Sequence, residues 1–465
     1  MVFPPFHNGQ MTRDQRLVLA IAILASFVAF LDGSVITVAL PAISTELGGG
    51  LTVQQWAVDA YLITLGSLIL VAGSLSDVYG RIVILKAGLV GFAVASVLCA
   101  IAPSGEFLVL ARGLQGVAGA LLVPSSLALI LSAFRGAEQG KAIGLWTAWT
   151  SAAFLAGPLL GGIFVDLLSW RLVFAINVLP IAITLGLIVI LKFRDIRSPD
   201  ASIDYPSALL GVIGLGAPVF ALIEQSNFGW SSPAIWLPFA VGILCLALFV
   251  RRQQTTAEPM MPLALFRVRN FGMGNLATVA IYGALSLGGF VVTVFLQETA
   301  GYSATLAGAA LLPVTVLNIA LSSRFGTLAA KYGPRLFMTL GPIVAGIGYL
   351  LFLGVGVKAH YLSEVLPGVI VFGIGLSMTV APLTSAVLGS ISARQAGIGS
   401  AINNAISRIA GLVAIALLGV IVGSGLDLGG FHRGVVVTAG LLILGGVISA
   451  IGIRNDVDNR PVQQH

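Results

Sequence analysis

Charge is scarce in this chain. Acidic and basic residues together make up 9% of its 465 residues, against about a quarter in an ordinary soluble domain. Hydrophobic residues make up 57%, and the mean hydropathy is +1.03. A wettable exterior cannot be built from so few charges, so a soluble fold of this length is excluded. Cysteine is scarcer still. Cys99 and Cys245 both fall inside apolar runs, which argues against a disulfide framework. The four histidines, His7, His360, His432 and His465, lie in tails or connecting segments and do not cluster. There is no metal-ligand spacing and no G-x-x-x-x-G-K-[ST] phosphate loop. No polar cluster at a membrane face suggests an embedded enzyme. Neither a metal, a cofactor nor a nucleic-acid partner is expected, and an ion gradient rather than ATP is the expected energy source.

What is present is a series of long apolar runs. A bilayer span needs about 20 mostly apolar residues. Such runs occur at 17–42, 53–75, 82–102, 107–133, 140–166, 171–192, 206–226, 234–250, 271–297, 305–330, 335–356, 362–387, 399–424 and 432–453. They do not alternate, and they are glycine-rich, which favours close-packed helices over barrel strands. The first run contains Asp32 and lacks a cleavage site, so it reads as a retained helix. Met11-Thr-Arg-Asp-Gln-Arg reads as a start, which would make residues 1–10 an extension. Lysine and arginine then orient the chain. With the N-terminus inside, only Arg171, Lys358 and Arg433 fall outside, and Arg112, Arg324 and Arg408 fall within spans. Both termini are therefore expected on the cytoplasmic side of a cell membrane, and the net charge of +6 serves orientation.

One connection between runs carries more than a connection needs. Gly73-Ser-Leu-Ser-Asp-Val-Tyr-Gly-Arg81 is read as a short loop holding both an acid, Asp77, and a base, Arg81. The stretch recurs. Gly73, Leu75, Tyr79 and Gly80 map onto Gly326, Leu328, Tyr332 and Gly333, and Arg81 onto Arg335 across the inserted Pro334. Ala330 stands where the first copy has Asp77. A repeat at this spacing implies two homologous halves. The expected order is a tail (1–16), a six-helix bundle (17–192), a linker holding an inserted helix pair (193–270), a second six-helix bundle (271–453) and a tail (454–465).

The pattern G-x-L-x-D-x-x-G-R resembles the loop between helices 2 and 3 of major facilitator superfamily transporters. Further stretches resemble its fourteen-helix drug:proton antiporter family. They are Leu31-Asp-Gly-Ser-Val-Ile-Thr-Val-Ala-Leu-Pro41 in the first run and Gln55-Trp-Ala-Val-Asp-Ala-Tyr-Leu62 in the second. Arg112-Gly-Leu-Gln-Gly-Val-Ala-Gly-Ala120 with Pro124 matches the fourth-helix motif, and Trp170-Arg-Leu-Val-Phe-Ala-Ile-Asn177 also matches. Gly157-Pro-Leu-Leu-Gly-Gly162 is similar to the fifth-helix antiporter motif, although Ala153 replaces a glycine often found one turn earlier. The resemblance covers almost the whole chain. It implies an all-α membrane fold of fourteen helices, two bundles related by an axis along the membrane normal, and export.

The residues suggest how such a protein would work. A charge in a span costs about 2.5–3.5 kcal/mol on insertion scales, so Asp32, Asp59 and Arg112 are expected to meet partners or a cavity. Desolvation disfavours an aspartate anion and a nearby arginine favours it. Moving one relative to the other would couple proton uptake to conformation. Gly73, Asp77, Gly80 and Arg81 are expected to gate. Asp77 would bond a helix N-terminus, and Arg81 a carboxylate or terminal carbonyls. Gly157, Pro158, Gly161 and Gly162 would make a bend or a tight seal. Tyr61, Trp146, Trp149, Phe154, Tyr282 and Phe290, with Asn403 and Asn404, are the candidate wall for lipophilic or cationic compounds. The Asn403, Asn404 and Arg408 cluster fits a structural network equally well. Glu224, in the inserted pair, is a poor coupling candidate. The reading is a monomeric, proton-coupled drug exporter in the lipid bilayer, exchanging a small-molecule substrate for protons. A dedicated exporter of one metabolite, antibiotic or lipid is the alternative.

Overall fold

The computed structural model describes residues 11–191, 203–256, 259–392, 395–423 and 425–455, with the side chains at 136, 137, 151, 154, 155 and 396 outside the description. The expected extension 1–10 and the side chain of Phe154 therefore lie outside the described residues. No strand occurs among those described. Backbone groups in hydrocarbon must be satisfied within the segment, and a helix does this alone.

The helices are α1 (Arg13–Val35), α2 (Leu40–Leu47), α3 (Gly50–Tyr79), α4 (Arg81–Ala100), α5 (Gly105–Ala133) and α6 (Gly136–Leu167). Next come α7 (Leu172–Ala175), α8 (Val178–Ile190), α9 (Tyr205–Phe228), α10 (Pro233–Thr255), α11 (Arg269–Glu298) and α12 (Ala304–Ala310). The last are α13 (Leu312–Tyr332), α14 (Pro334–Leu351), α15 (Leu366–Gly389), α16 (Ala396–Ala416), α17 (Leu418–Val422) and α18 (Leu428–Gly452). Thirteen described helical stretches are long and apolar enough to cross a bilayer. The difference from fourteen falls at the fifth predicted run. There α6 is continuous over 32 residues, but side chains within it lie outside the description, so only its described stretch Ala156–Leu167 enters the count.

Local chemistry sets several boundaries. Thr12 and Gln15 form a reciprocal capping box at the start of α1. Ser104 caps α5 and Asp204 caps α9. The stretch read as a nine-residue loop is corrected by the structure: α3 runs to Tyr79, and only Gly80 stands between it and α4. Gly80 has φ +106° and ψ 142°, a conformation that a Cβ would strain. Gly333, its counterpart in the repeat, has φ +89° and ψ 151°. Polar residues end the membrane signal before they end the helix.

The chain divides into two compact units. One comprises 1–260, 292–309 and 415–426, and the other 261–291, 310–414 and 427–465. In the first, α1 packs on α5, α6 and α8, and α3 packs on α5 and α9. Helices α9 and α10 are tied together by Asp204, whose carboxylate accepts from Arg252 Nε at 2.9 Å. Burial opposes ionisation of Asp204, but bonds from the Ser207 hydroxyl and amide and from Arg252 outweigh it and hold its pKa below the usual range. Only 11% of the most apolar stretch of α10 is buried, leaving Trp236, Leu237, Leu244 and Leu248 exposed. That is the surface of a lipid-facing helix. In the second unit α14 packs on α15 and α18. Gly341, Gly348, Gly368 and Gly375 bring the α14 and α15 backbones together.

Candidate functional site

The first unit contains a fully buried polar network. Asp32, near the end of α1, and Arg112, in α5, are 0% and 1% exposed. Arg112 Nη1 donates to Asp32 Oδ2 at 2.6 Å and to Gln115 Oε1 at 2.6 Å. Its Nε donates to the Ala57 carbonyl in α3 at 2.8 Å. The guanidinium carbon lies 4.4 Å above the Tyr61 ring and 5.6 Å from the Phe174 ring. Gln115 Nε2 donates to Asp32 Oδ1 at 2.8 Å and to Ser96 Oγ in α4 at 2.9 Å. Asn177, at the break between α7 and α8, donates Nδ2 to Asp32 Oδ1 at 2.9 Å. Such an ion pair withstands the loss of water only because the remaining lone pairs and protons are also bonded.

The geometry therefore brings Asp32 and Arg112 together as an ion pair. Gln115, Ser96 and Asn177 were not singled out by sequence reasoning. Gln115 is three residues from Arg112, hence on the same face of α5, and it lies within the quoted motif. Asn177 closes the Trp170 motif. Ser96 gives no signal, since serine is unremarkable in a membrane helix.

Asp59 is arranged in the opposite way. It is 0% exposed and neither carboxylate oxygen has a hydrogen-bond partner. One turn back along α3, Trp56 Nε1 donates to Glu224 Oε1 of α9 at 2.7 Å. Gln55 Nε2 donates to the Ile415 carbonyl at 2.7 Å. An isolated carboxylate anion is very costly in an apolar site, so Asp59 is the least compensated polar group in this part of the unit.

At the opposite end of α3, Asp77 is half-exposed and its carboxylate lies 3.7 Å from Arg81. Arg81 Nη1 also donates to the Ala128 carbonyl of α5 at 3.0 Å. Gly73 has open space where a Cβ would stand.

The glycines of α6 make close backbone contacts. A Cβ at Gly157 would lie 2.0 Å from Ser34 Oγ and 3.0 Å from Val35 N; at Gly161 it would lie 2.8 Å from the Val35 carbonyl oxygen. At Gly162 it would lie 2.5 Å from Thr305 Cα. The Pro158 carbonyl faces Gly308. One turn beyond Gly162, Asp166 accepts from the backbone N–H groups of Ala304 at 3.0 Å and Thr305 at 2.8 Å. At the same end Glu46 accepts from Trp170 and Arg171, each at 2.5 Å. The Trp170 indole bond, then the Arg171 bond, hold the Glu46 pKa below its usual value.

Of the candidate substrate wall, Trp149 is exposed and Trp146 donates Nε1 to Ser26 at 2.9 Å. Tyr61 is packed beneath Arg112. In the second unit Phe290 is fully buried and Tyr282 is half-buried. Asn403 there donates Nδ2 to Asn275 Oδ1 and Thr278 Oγ1, both at 3.0 Å. Asn404 donates to the Ser400 carbonyl.

A family model described as Major Facilitator Superfamily matches residues 22–415. The chain is 32% identical over 409 residues to a methylenomycin A resistance protein of Bacillus subtilis, covering 87% of each chain. It is 33% identical over 409 residues to the multidrug efflux pump LfrA of Mycolicibacterium smegmatis, covering 87% of this chain and 80% of that one. Among solved structures, a peptide transporter of the POT family in complex with sulfate aligns with a TM-score of 0.72 at 15% identity, covering 96% of this chain and 95% of that one. A D-xylose–proton symporter aligns with a TM-score of 0.67, also at 15% identity, covering 95% and 98%. At that identity the likeness concerns the fold.

Proposed function

Since the chain belongs to the Major Facilitator Superfamily, we propose that it exports lipophilic or cationic drugs in exchange for protons by alternating access. The observation that carries this reading is the contrast between two buried acids. Asp32 is paired with Arg112 and fully bonded, whereas Asp59 has no partner. A proton arriving at Asp32 neutralises its half of the ion pair and frees the Arg112 guanidinium. Neutralising a buried pair changes local energies by several kcal/mol, enough to bias a two-state helix arrangement. Asp59, buried without a hydrogen-bond partner, serves as the second carrier.

Both termini and the Asp77 turn face the cytoplasm in this reading, as the lysine and arginine distribution implies. Gly73, Asp77, Gly80 and Arg81 form the inner gate, and Gly157, Pro158, Gly161 and Gly162 the seal. Trp146 and the exposed Trp149 of the first unit, and separately Tyr282, Asn403 and Asn404 of the second, are the candidates for substrate contact. The name of the first relative, methylenomycin A resistance protein, favours a second reading: export of one antibiotic.

The test uses proteoliposomes and ethidium as the probe cation. Uphill ethidium movement should follow an imposed proton gradient, collapse when that gradient is dissipated, and ignore ATP. Asp32→Asn should abolish uphill movement and keep downhill exchange. Accumulation with ATP and no gradient overturns the reading. A panel of unrelated toxic compounds, tested on cells with and without the gene, separates multidrug export from export of one antibiotic.

A further inference from the structure

On the reading that Asp32 carries the proton, we propose that Asn177 is the positioning residue for both protonation states of Asp32. Its amide nitrogen donates to the carboxylate in the ionised state. Its carbonyl oxygen, after rotation of the amide, accepts the hydrogen of the neutral acid.

One polar atom of this side chain is an orphan. Asn177 is 0% exposed. Its Nδ2 reaches Asp32 Oδ1 at 2.9 Å and Ser96 Oγ at 3.3 Å. Its Oδ1 is buried and bonded to nothing. Buried side-chain acceptors are rarely left unmade in a stable core, so an atom of this kind beside a proton-binding group points to a partner in another state.

The surrounding acceptors do not offer a substitute. Asp32 Oδ2 is taken by Arg112, and Oδ1 by Gln115 and Asn177. Gln115 Oε1 already accepts from Arg112 and from Cys99 Sγ, and the Ala57 carbonyl accepts from Arg112. Ser96 Oγ accepts from Gln115 and Asn177. A proton placed on Oδ1 turns that oxygen from an acceptor into a donor, and a donor facing the Asn177 NH₂ has no acceptor. The terminal torsion of asparagine is broad and roughly two-fold. A half-turn about it puts Oδ1 where Nδ2 now stands, within hydrogen-bond reach of Asp32 and Ser96. The donor becomes the acceptor without any backbone movement.

Asn177 also sits where the backbone is not a regular α-helix. It follows the four-residue α7, and its N–H bonds to the Phe174 carbonyl, three residues back, at 3.2 Å. The charged and titratable groups around Asp32 are Arg112 of α5, Cys99 of α4, and the Tyr61 phenol, whose ring lies under the guanidinium. Neither α7 nor α8 contains an ionisable residue, and α6 carries them only toward its ends, at Glu138, Lys141 and Asp166.

The test is infrared difference titration of the reconstituted protein, without substrate. The carbonyl band of protonated Asp32 is identified by its loss in Asp32→Asn. In Asn177→Ala, which supplies neither donor nor acceptor, the band should move to higher wavenumber, because the acid has lost a hydrogen bond. Asn177→Leu, which matches the amide in size but has no polar atom, should move it likewise, so that a cavity is not the cause. If the alanine and leucine variants give the band of the unmodified protein, Asn177 does not bond the acid and the proposal is overturned while proton carriage by Asp32 stands. If no band is lost in Asp32→Asn at any pH, Asp32 takes up no proton, and both ideas are overturned.

Discussion

Gly162→Ala is the sharpest mechanical perturbation the structure offers. The added methyl would lie 2.5 Å from Thr305 Cα and 2.7 Å from both the Ala304 carbonyl oxygen and Thr305 N. All three are backbone atoms, so no side chain can turn aside. Carbon atoms sit comfortably at about 3.5–4.0 Å, so α6 and the 304–305 segment must part by about 1 Å. The Asp166 bonds to the same segment, now 3.0 and 2.8 Å, would then exceed the roughly 3.2 Å limit of a good N–H···O bond. Overpacking of this kind costs about 1–3 kcal/mol. The middle of that range corresponds to a shift of about 30-fold toward arrangements in which the segments are apart. The assay is maleimide labelling of a cysteine at position 304, buried in the parent structure, in purified protein. Ala304→Cys should be labelled tens of times faster when combined with Gly162→Ala. Gly186→Ala, with no atom within 4 Å and no part in the proposed gate or seal, is the control and should change nothing. Equal labelling rates with Gly162 and with alanine there would refute the reasoning, because the contact would not be holding the segments together.

Four further outcomes follow from the same geometry. Asp59→Leu removes a carboxyl that has no partner, so thermal stability should hold or rise, by up to about 1–3 kcal/mol, while gradient-driven ethidium transport falls. Arg112→Leu, which strands Asp32, should instead cost about 3–5 kcal/mol, and a stable Arg112→Leu protein would count against the buried pair. Asp77→Asn should leave folding intact, since Arg81 keeps its bond to the Ala128 carbonyl, yet slow transport; an unchanged rate in the purified variant would reduce this turn to a topology signal. The depressed Glu46 pKa means that its stabilising contribution is present above the ordinary glutamate value and is lost as pH falls through the lower, folded-state value. Glu46→Gln should accordingly melt below the parent at neutral pH, with the two curves converging in acid, as read by tryptophan fluorescence.

The apolar runs were readable because a bilayer imposes length and composition on every span. Helix ends were not. Ser76, Asp77 and Tyr79 look like a loop by hydropathy, yet they complete α3, because hydropathy marks where lipid ends rather than where hydrogen bonding does. The break at Ile176 and Asn177 is equally hidden, since the apolar residues continue through it. Asp32 and Arg112 were recognisable as groups needing partners, and Gln115 could have been added from its three-residue spacing. Nothing in the sequence distinguishes bonded Asp32 from unbonded Asp59. That difference arises from which neighbours the packing supplies.

The buried pair also bears on how the chain is made. Asp32 and Arg112 are 80 residues apart in sequence. At roughly 5–20 residues per second, α1 enters the bilayer some 4–16 s before its cation is synthesised. During that interval Asp32 is an acid in lipid without its base, and α5 later arrives carrying an arginine that costs about 2.5–3.5 kcal/mol to insert alone. Each helix lowers the insertion cost of the other only if α1 remains beside the insertion channel until α5 emerges. The ion pair is thus also a timing constraint on biogenesis, and a mutation at either end would first be felt by the insertion machinery.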